Sequence, residues 1–208
     1  MKKQTIIINV GRQLGSGGKD IAMLLAKRFG CEFFDREILN LAAKESGFSE
    51  RFFEQNDEQR HFLRSLGHLH APLLGDTNIY SNRFSQESLF KFQSDAIRHA
   101  ASQQSCVFVG RCADYILRDF DNAVSIFVTA DLDDRVARVQ ERHQLTSEEA
   151  VKYIRNGENR RSTYYNYYTG KKWGDSASYD LCVNSSRLGI EATADIVAQF
   201  INAWREQP

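Results

Sequence analysis

Net charge is the first thing this chain lacks: 27 Lys and Arg against 27 Asp and Glu leave it formally neutral. A neutral total gives no electrostatic footprint for duplex nucleic acid, so no nucleic-acid partner is expected. Long apolar runs are also missing. None approaches the roughly 20 residues of a membrane span, and Met-Lys-Lys-Gln leads directly into a short strand with no signal-peptide region. No membrane partner is therefore expected, and the chain reads as cytoplasmic. Cysteine is sparse: Cys31, Cys106, Cys112 and Cys182 are scattered without a CxxC pair, which leaves reduced structural thiols rather than a zinc site. His61, His68 and His70 stand close together, yet no cysteine or acidic triad joins them at ligand spacing, so no metal site is assigned. What is present is 208 residues at 42% hydrophobic, enough for one domain with a full core and a small insertion.

Strand and helix signals alternate along the chain. Apolar runs at Thr5 to Val10, Cys31 to Phe34, Cys106 to Val109, Ala123 to Val128 and Tyr179 to Val183 predict five strands. Helical patterns follow from Lys19 to Phe29, Glu37 to Lys44, Ser88 to Gln103, Asp114 to Arg118, Leu132 to Arg142, Ser147 to about Tyr168 and Gly189 to Trp204. Short apolar strands separated by helices argue an α/β fold with a parallel five-stranded sheet and helices on both faces. Residues from about 46 to 88 differ: they are polar, without a strand period, and read as a helical or irregular insertion. Phe52, Phe53 and Phe62 in that segment fit either internal packing or a homodimer contact.

The first thirty residues are the most informative. A strand, the glycine-rich turn Gly11 to Gly18 (GRQLGSGG) and an amphipathic helix follow one another directly. Such a turn aims backbone N–H groups at one point above a helix N-terminus, where unpaired amides and the helix dipole favour a phosphate. The candidate nucleotide-binding residues are Gly11, Arg12, Gly15, Ser16, Gly17, Gly18, Lys19 and Asp20. In open parallel sheets ligands sit outside the carboxyl ends of the strands, and two further polar groups fall at such ends: Asp35 and, after Val109-Gly110, Arg111. A guanidinium there can hold a phosphate in a bidentate fork.

A second cluster lies between Arg135 and Arg161. Arg135, Arg138 and Arg142 recur at helical spacing, and Arg155, Arg160 and Arg161 follow within one predicted helix. Each alone fits a solvated helix face, but together they suit a lid that brings positive charge over a transferring phosphoryl group. The aromatic run Tyr164, Tyr165, Tyr167, Tyr168 and Trp173 reads first as packing of that helix and loop against the domain, with base stacking the alternative.

The runs GRQLGSGGKDIAMLLAKRFG, FFDREILNLAAKESGF, FVGRCADYIL, ENRRSTYYNYYTGKKWGD and YDLCVNSS, in that order, resemble the cytidylate kinase-like family of P-loop proteins over nearly the whole chain. The resemblance implies a P-loop NTPase fold of the nucleoside-monophosphate-kinase type, with an acceptor-binding insertion at about 46–88 and a lid at about 147–175. It implies ATP with Mg2+, a nucleotide donor and a small phosphorylated acceptor. By position, Gly15 to Lys19 would hold the donor phosphates, Asp35 and Arg111 would serve the acceptor, and Arg155 and Arg161 would be lid arginines, with Glu158 placed to orient Arg161.

Two departures qualify the expected chemistry. A standard phosphate loop reads GxxxxGK followed by Ser or Thr, the lysine bridging the terminal phosphates and the hydroxyl binding magnesium. Here Gly18 occupies the lysine position and Lys19 the hydroxyl position, so Lys19 or Arg12 is the candidate substitute for the missing charge. Cys112 follows Arg111 where cytidylate kinases carry an aspartate. Three functions follow in order: an ATP-dependent kinase using Lys19, Arg12, Arg155 and Arg161; a non-catalytic nucleotide-binding protein with a degenerate loop; and a dinucleotide oxidoreductase. The last has Gly15-Ser16-Gly17 and Asp35 in its favour but finds Asp20 where the third fingerprint glycine belongs.

Overall fold

A computed structural model describes residues 5–35 and 79–206. In chain order these form β1 (Ile7–Arg12), α1 (Gly18–Phe29), β2 (Glu32–Phe34), α2 (Ile79–Gln103), β3 (Cys106–Val109), α3 (Ala113–Ile116), β4 (Ala123–Thr129), α4 (Leu132–His143), α5 (Ser147–Thr169), β5 (Leu181–Asn184) and α6 (Gly189–Arg205). A 3-10 turn at Ser176–Ser178 precedes β5. The expected helix at Glu37 to Lys44, the histidines and most of the expected insertion lie outside the described residues.

The five strands form one parallel sheet in the order β2-β3-β1-β4-β5. Because successive side chains alternate across a strand, Ile6, Ile8 and Val10 join Ile21, Leu25, Val197 and Ile201 on one face, under α1 and α6. Ile7 joins Ile97, Phe108, Ile116 and Tyr165 on the other, under α2, α3 and α5. Both faces are thus covered, as a parallel sheet requires. A third cluster, Val136, Val139, Ala150 and Ile154, locks α4 to α5.

Several boundaries differ from the sequence pattern. β1 runs on through Gly11 and Arg12 because they pair with Phe127 and Val128 of the longer β4. α1 starts at Gly18, so the turn itself is only Gln13 to Gly17. α2 begins at Ile79, within the stretch read as insertion, rather than at Ser88. β5 starts at Leu181, after the 3-10 turn. α5 matches its pattern because its start is encoded locally: Thr146 and Glu149 form a reciprocal capping box. Among the described residues no helix is long and apolar enough to cross a membrane.

Candidate functional site

The turn after β1 is held from behind. Arg135 Nε donates to the Leu14 carbonyl at 2.9 Å, Arg138 Nη1 to that of Gly15 at 3.1 Å, and Ser185 Oγ to that of Ser16 at 2.7 Å. A peptide unit is planar and trans, so its N–H points opposite its carbonyl; the bonds at Leu14 and Ser16 turn the amides of Gly15 and Gly17 to the other side, while the Ser16 amide donates to the Gln13 carbonyl at 3.4 Å. α1 begins at once, and its cap residue Gly17 (φ 74°) supplies no side-chain hydrogen bond to the first-turn amides. That geometry suits an anion. The cleft above it has a volume of about 630 Å³, and Arg12, Gly18, Lys19, Arg138, Arg142 and Arg161 are among its lining residues.

Arg12 crosses this site. A β-carbon on Gly18 would lie 2.5 Å from Arg12 Cβ, and one on Gly110 would run into Arg12 Nη1. The side chain therefore passes over the first residue of α1 and reaches the end of β3. A side chain at position 18 would meet the Arg12 stem, and one at position 110 the tip of its guanidinium. Burial first, then the charges of Arg161 and Arg111, push the Arg12 guanidinium down to about 9. It remains charged at neutral pH. No carboxylate among the described residues lies within 4 Å of it. Arg161 Nη1 donates to the Arg12 carbonyl at 3.1 Å, and burial lowers its guanidinium too, against the opposing effect of Glu158.

Arg111 follows Gly110 at the end of β3. Gly110, Arg111 and Cys112 have φ of 75°, 58° and 56°, three left-handed residues in succession. For the two non-glycines this costs roughly 1–2 kcal/mol each, the kind of strain that collects at functional sites. It sets the Arg111 guanidinium 5.1 Å from the centre of the Tyr164 ring. Cys112 is buried, and burial followed by Asp114 pushes its thiol up to about 12, so it packs rather than ionises.

Lys19 does not lie along the loop. Its Nζ donates to Asp35 Oδ2 at 2.7 Å, at the end of β2. Asp35 is the one buried carboxylate among the described residues. Asp20, on the exposed side of the first turn of α1, meets Arg142 at 3.4 Å. Arg155 is exposed and is not among the residues lining the cleft, whereas Arg138 and Arg142 are. Glu158 pairs with Arg135 at 2.6 Å, which makes it first a brace for the arginine behind the turn. Ser185 was not singled out from the sequence; its only local signal is the Asn-Ser-Ser step after β5.

The expected groups fit unequally. The turn amides and flanking arginines fit the phosphates of ATP. For Mg2+ the described residues offer little: Ser16 Oγ donates to the Gln13 carbonyl at 2.9 Å, and Asp35 holds Lys19. A magnesium ion would fit here as one held mainly by phosphates and water.

A profile of the cytidylate kinase-like family matches residues 7–187. The chain belongs to that family. Cytidylate kinase of Thermococcus kodakarensis is 26% identical over 204 residues, covering 97% of this chain and 91% of the relative. That of Methanosarcina acetivorans is 27% identical, covering 94% and 96%. Among solved structures, an uncharacterised protein from Eubacterium ventriosum superposes with a TM-score of 0.73 at 27% identity, covering 95% of this chain and 99% of that one. A shikimate kinase from Bacteroides thetaiotaomicron superposes at 0.52 with 12% identity, over 95% and 98% of the two chains, which shows the shared P-loop kinase fold alone. Membership of the cytidylate kinase-like family supports a nucleotide kinase activity in general terms.

Proposed function

We propose that this cytidylate kinase-like protein transfers the terminal phosphoryl group of ATP to a nucleoside monophosphate or a similar small phosphorylated acceptor, with Arg12 in place of the usual loop lysine. The observation that carries this reading is the convergence of Arg12, Arg111 and Arg161 beside the phosphate turn, where their mutual repulsion helps depress the Arg12 guanidinium. Three crowded cations cost stability unless an anion neutralises them, and a transferring phosphoryl group does so best when its charge is spread. In the reaction an acceptor phosphate oxygen attacks the γ-phosphorus, the bond to the β,γ-bridging oxygen breaks, and ADP leaves. The turn amides hold the donor, Arg12 spans donor and acceptor, Arg111 holds the acceptor phosphate, and Arg161 closes the charge from α5. We assign α5 and the segment after it the role of the lid. Bound magnesium supplies charge neutralisation between the donor phosphates.

The test is coupled ADP release with ATP and Mg2+ against a panel of nucleoside monophosphates. Turnover on at least one acceptor is expected, and Arg111→Ala should raise the acceptor KM at least tenfold while moving the ATP KM less than twofold. The second reading, a binder without turnover, draws on the Lys19–Asp35 pair and on glycine at the lysine position. Nucleotide binding with no release above the ATP-only blank would establish it instead.

A further inference from the structure

Arg111 has no ion-pair partner among the described residues, so the backbone that carries it and the ring beside it set its direction. That backbone is strained through Gly110, Arg111 and Cys112, and such conformations persist only where the surroundings over-determine them. The surroundings here belong to α5. α3 begins at Ala113, directly after the strained run, and its Asp114 Oδ2 accepts a hydrogen bond from Tyr165 Oη of α5 at 2.7 Å. Tyr164, the preceding residue of α5, carries the Arg111 guanidinium on its ring and is itself held by α2, its Oη donating to Gln93 Oε1 at 3.2 Å. Two adjacent residues of one helix thus hold both ends of the four-residue stretch 111–114. Tyr165 is buried, and burial pushes the Asp114 carboxyl up while the hydrogen bond from Tyr165 opposes that rise. Neither Asp114 nor Tyr165 is among the residues lining the phosphate cleft.

We infer that Tyr165 and Asp114 are positioning residues for the acceptor: their hydrogen bond seats α5 on α3 and holds Arg111 where it meets the acceptor phosphate. The inference rests on the kinase reading, which gives Arg111 that phosphate, and adds that the seating of α5 and the presentation of Arg111 are one event. With only three residues between Arg111 and Asp114, no slack in the chain separates the anchor from the arginine it serves. A hydrogen bond that served stability alone would weaken donor and acceptor binding alike, or neither.

The experiment is calorimetric binding of CMP, UMP, AMP and ATP to the full chain, with ADP release measured in parallel. It compares the wild type with Tyr165→Phe, Asp114→Asn, Arg111→Ala and the double change of Tyr165→Phe with Arg111→Ala. Tyr165→Phe and Asp114→Asn keep side-chain volume, and denaturation midpoints check that all variants fold. Tyr165→Phe should weaken the tightest-bound monophosphate at least fivefold and leave the ATP Kd within twofold. Asp114→Asn keeps an oxygen that accepts from the phenol, so its monophosphate Kd should stay within twofold of the wild type. Without Arg111, Tyr165→Phe should add less than twofold, because contacts that act as one unit are not additive. Monophosphate affinity unmoved by Tyr165→Phe, an equal loss for ATP, an equal loss in Asp114→Asn, or the full effect persisting without Arg111 overturns the inference; wild-type turnover in those cases leaves the kinase reading standing. The expected binding pattern without ADP release from the wild type overturns the kinase reading alone. Failure of every monophosphate to bind, with ATP still bound, overturns both.

Discussion

At the scale of single residues, glycine at position 18 is coupled to Arg12 by space. The Arg12 stem fills the volume that a side chain at position 18 would need. Placing lysine there should therefore fail: Gly18→Lys is expected to destabilise the fold by about 1–3 kcal/mol through overpacking, without raising kcat. Arg12→Ala should lower kcat by about 10²–10³, the usual effect of losing one preorganised charge-stabilising group. Arg12→Ala combined with Gly18→Lys should recover part of that loss, because the space and the charge are then both available. Urea denaturation and ADP release on the three variants check this; full additivity of the two single changes would show that the positions are uncoupled. The glycines, Arg12, Lys19 and Asp35 were all legible in the sequence as candidates, since residue type and order mark a glycine-rich turn between a strand and a helix. Which cation crosses the turn was not legible: Lys19 lies nearer in sequence to the expected position, but its ammonium pairs with Asp35, sixteen residues on and brought close by β2.

At the scale of elements, α4 is the strut behind the turn and α5 the cover beside it. Arg135 joins them: it is buried, donates to the Leu14 carbonyl and pairs with Glu158. Glu158→Gln keeps the shape and removes the charge, leaving a buried guanidinium with a weaker partner. It is expected to cost about 1–3 kcal/mol, below the range for outright loss of a buried partner, and to loosen the phosphate turn. Hydrogen exchange should rise in residues 13–17 and along α5, with α6 unaffected as the internal control. Uniform exchange across all three would place the effect in global stability instead. The helical spacing of Arg135, Arg138 and Arg142 was visible in the sequence, but a solvated face has the same spacing. Only the packing of Val136 and Val139 against α5 turns Arg135 and Arg138 inward, toward the loop carbonyls, while Arg142 stays exposed beside Asp20.

At the scale of the whole molecule, a chain of zero net charge gathers cations on one side of its sheet: Arg12, Lys19, Arg138, Arg142 and Arg161 all line the cleft at the carboxyl ends of the strands. Lys19 and Arg142 are partly compensated by Asp35 and Asp20, so folding bears chiefly the repulsion among the arginines, and a polyanion relieves it. Pyrophosphate or ATP at a hundred times its Kd is expected to stabilise the protein by about 2.7 kcal/mol, with a benefit that shrinks from low to high salt. Thermal unfolding with and without the anion measures both. Stabilisation indifferent to salt would argue that the site is not electrostatic.

The alternation of short apolar strands with amphipathic helices determined the fold class directly from the sequence, and the glycine-rich turn marked the candidate site. These are local properties, written in the spacing of apolar side chains and in the conformational freedom of glycine. The tertiary structure alone decided that Arg12 passes between Gly18 and Gly110, that Glu158 braces Arg135, and that the Tyr164 ring bears Arg111. Each of those contacts joins residues far apart in the chain or on different elements, and no periodicity along one segment encodes what a distant segment places against it.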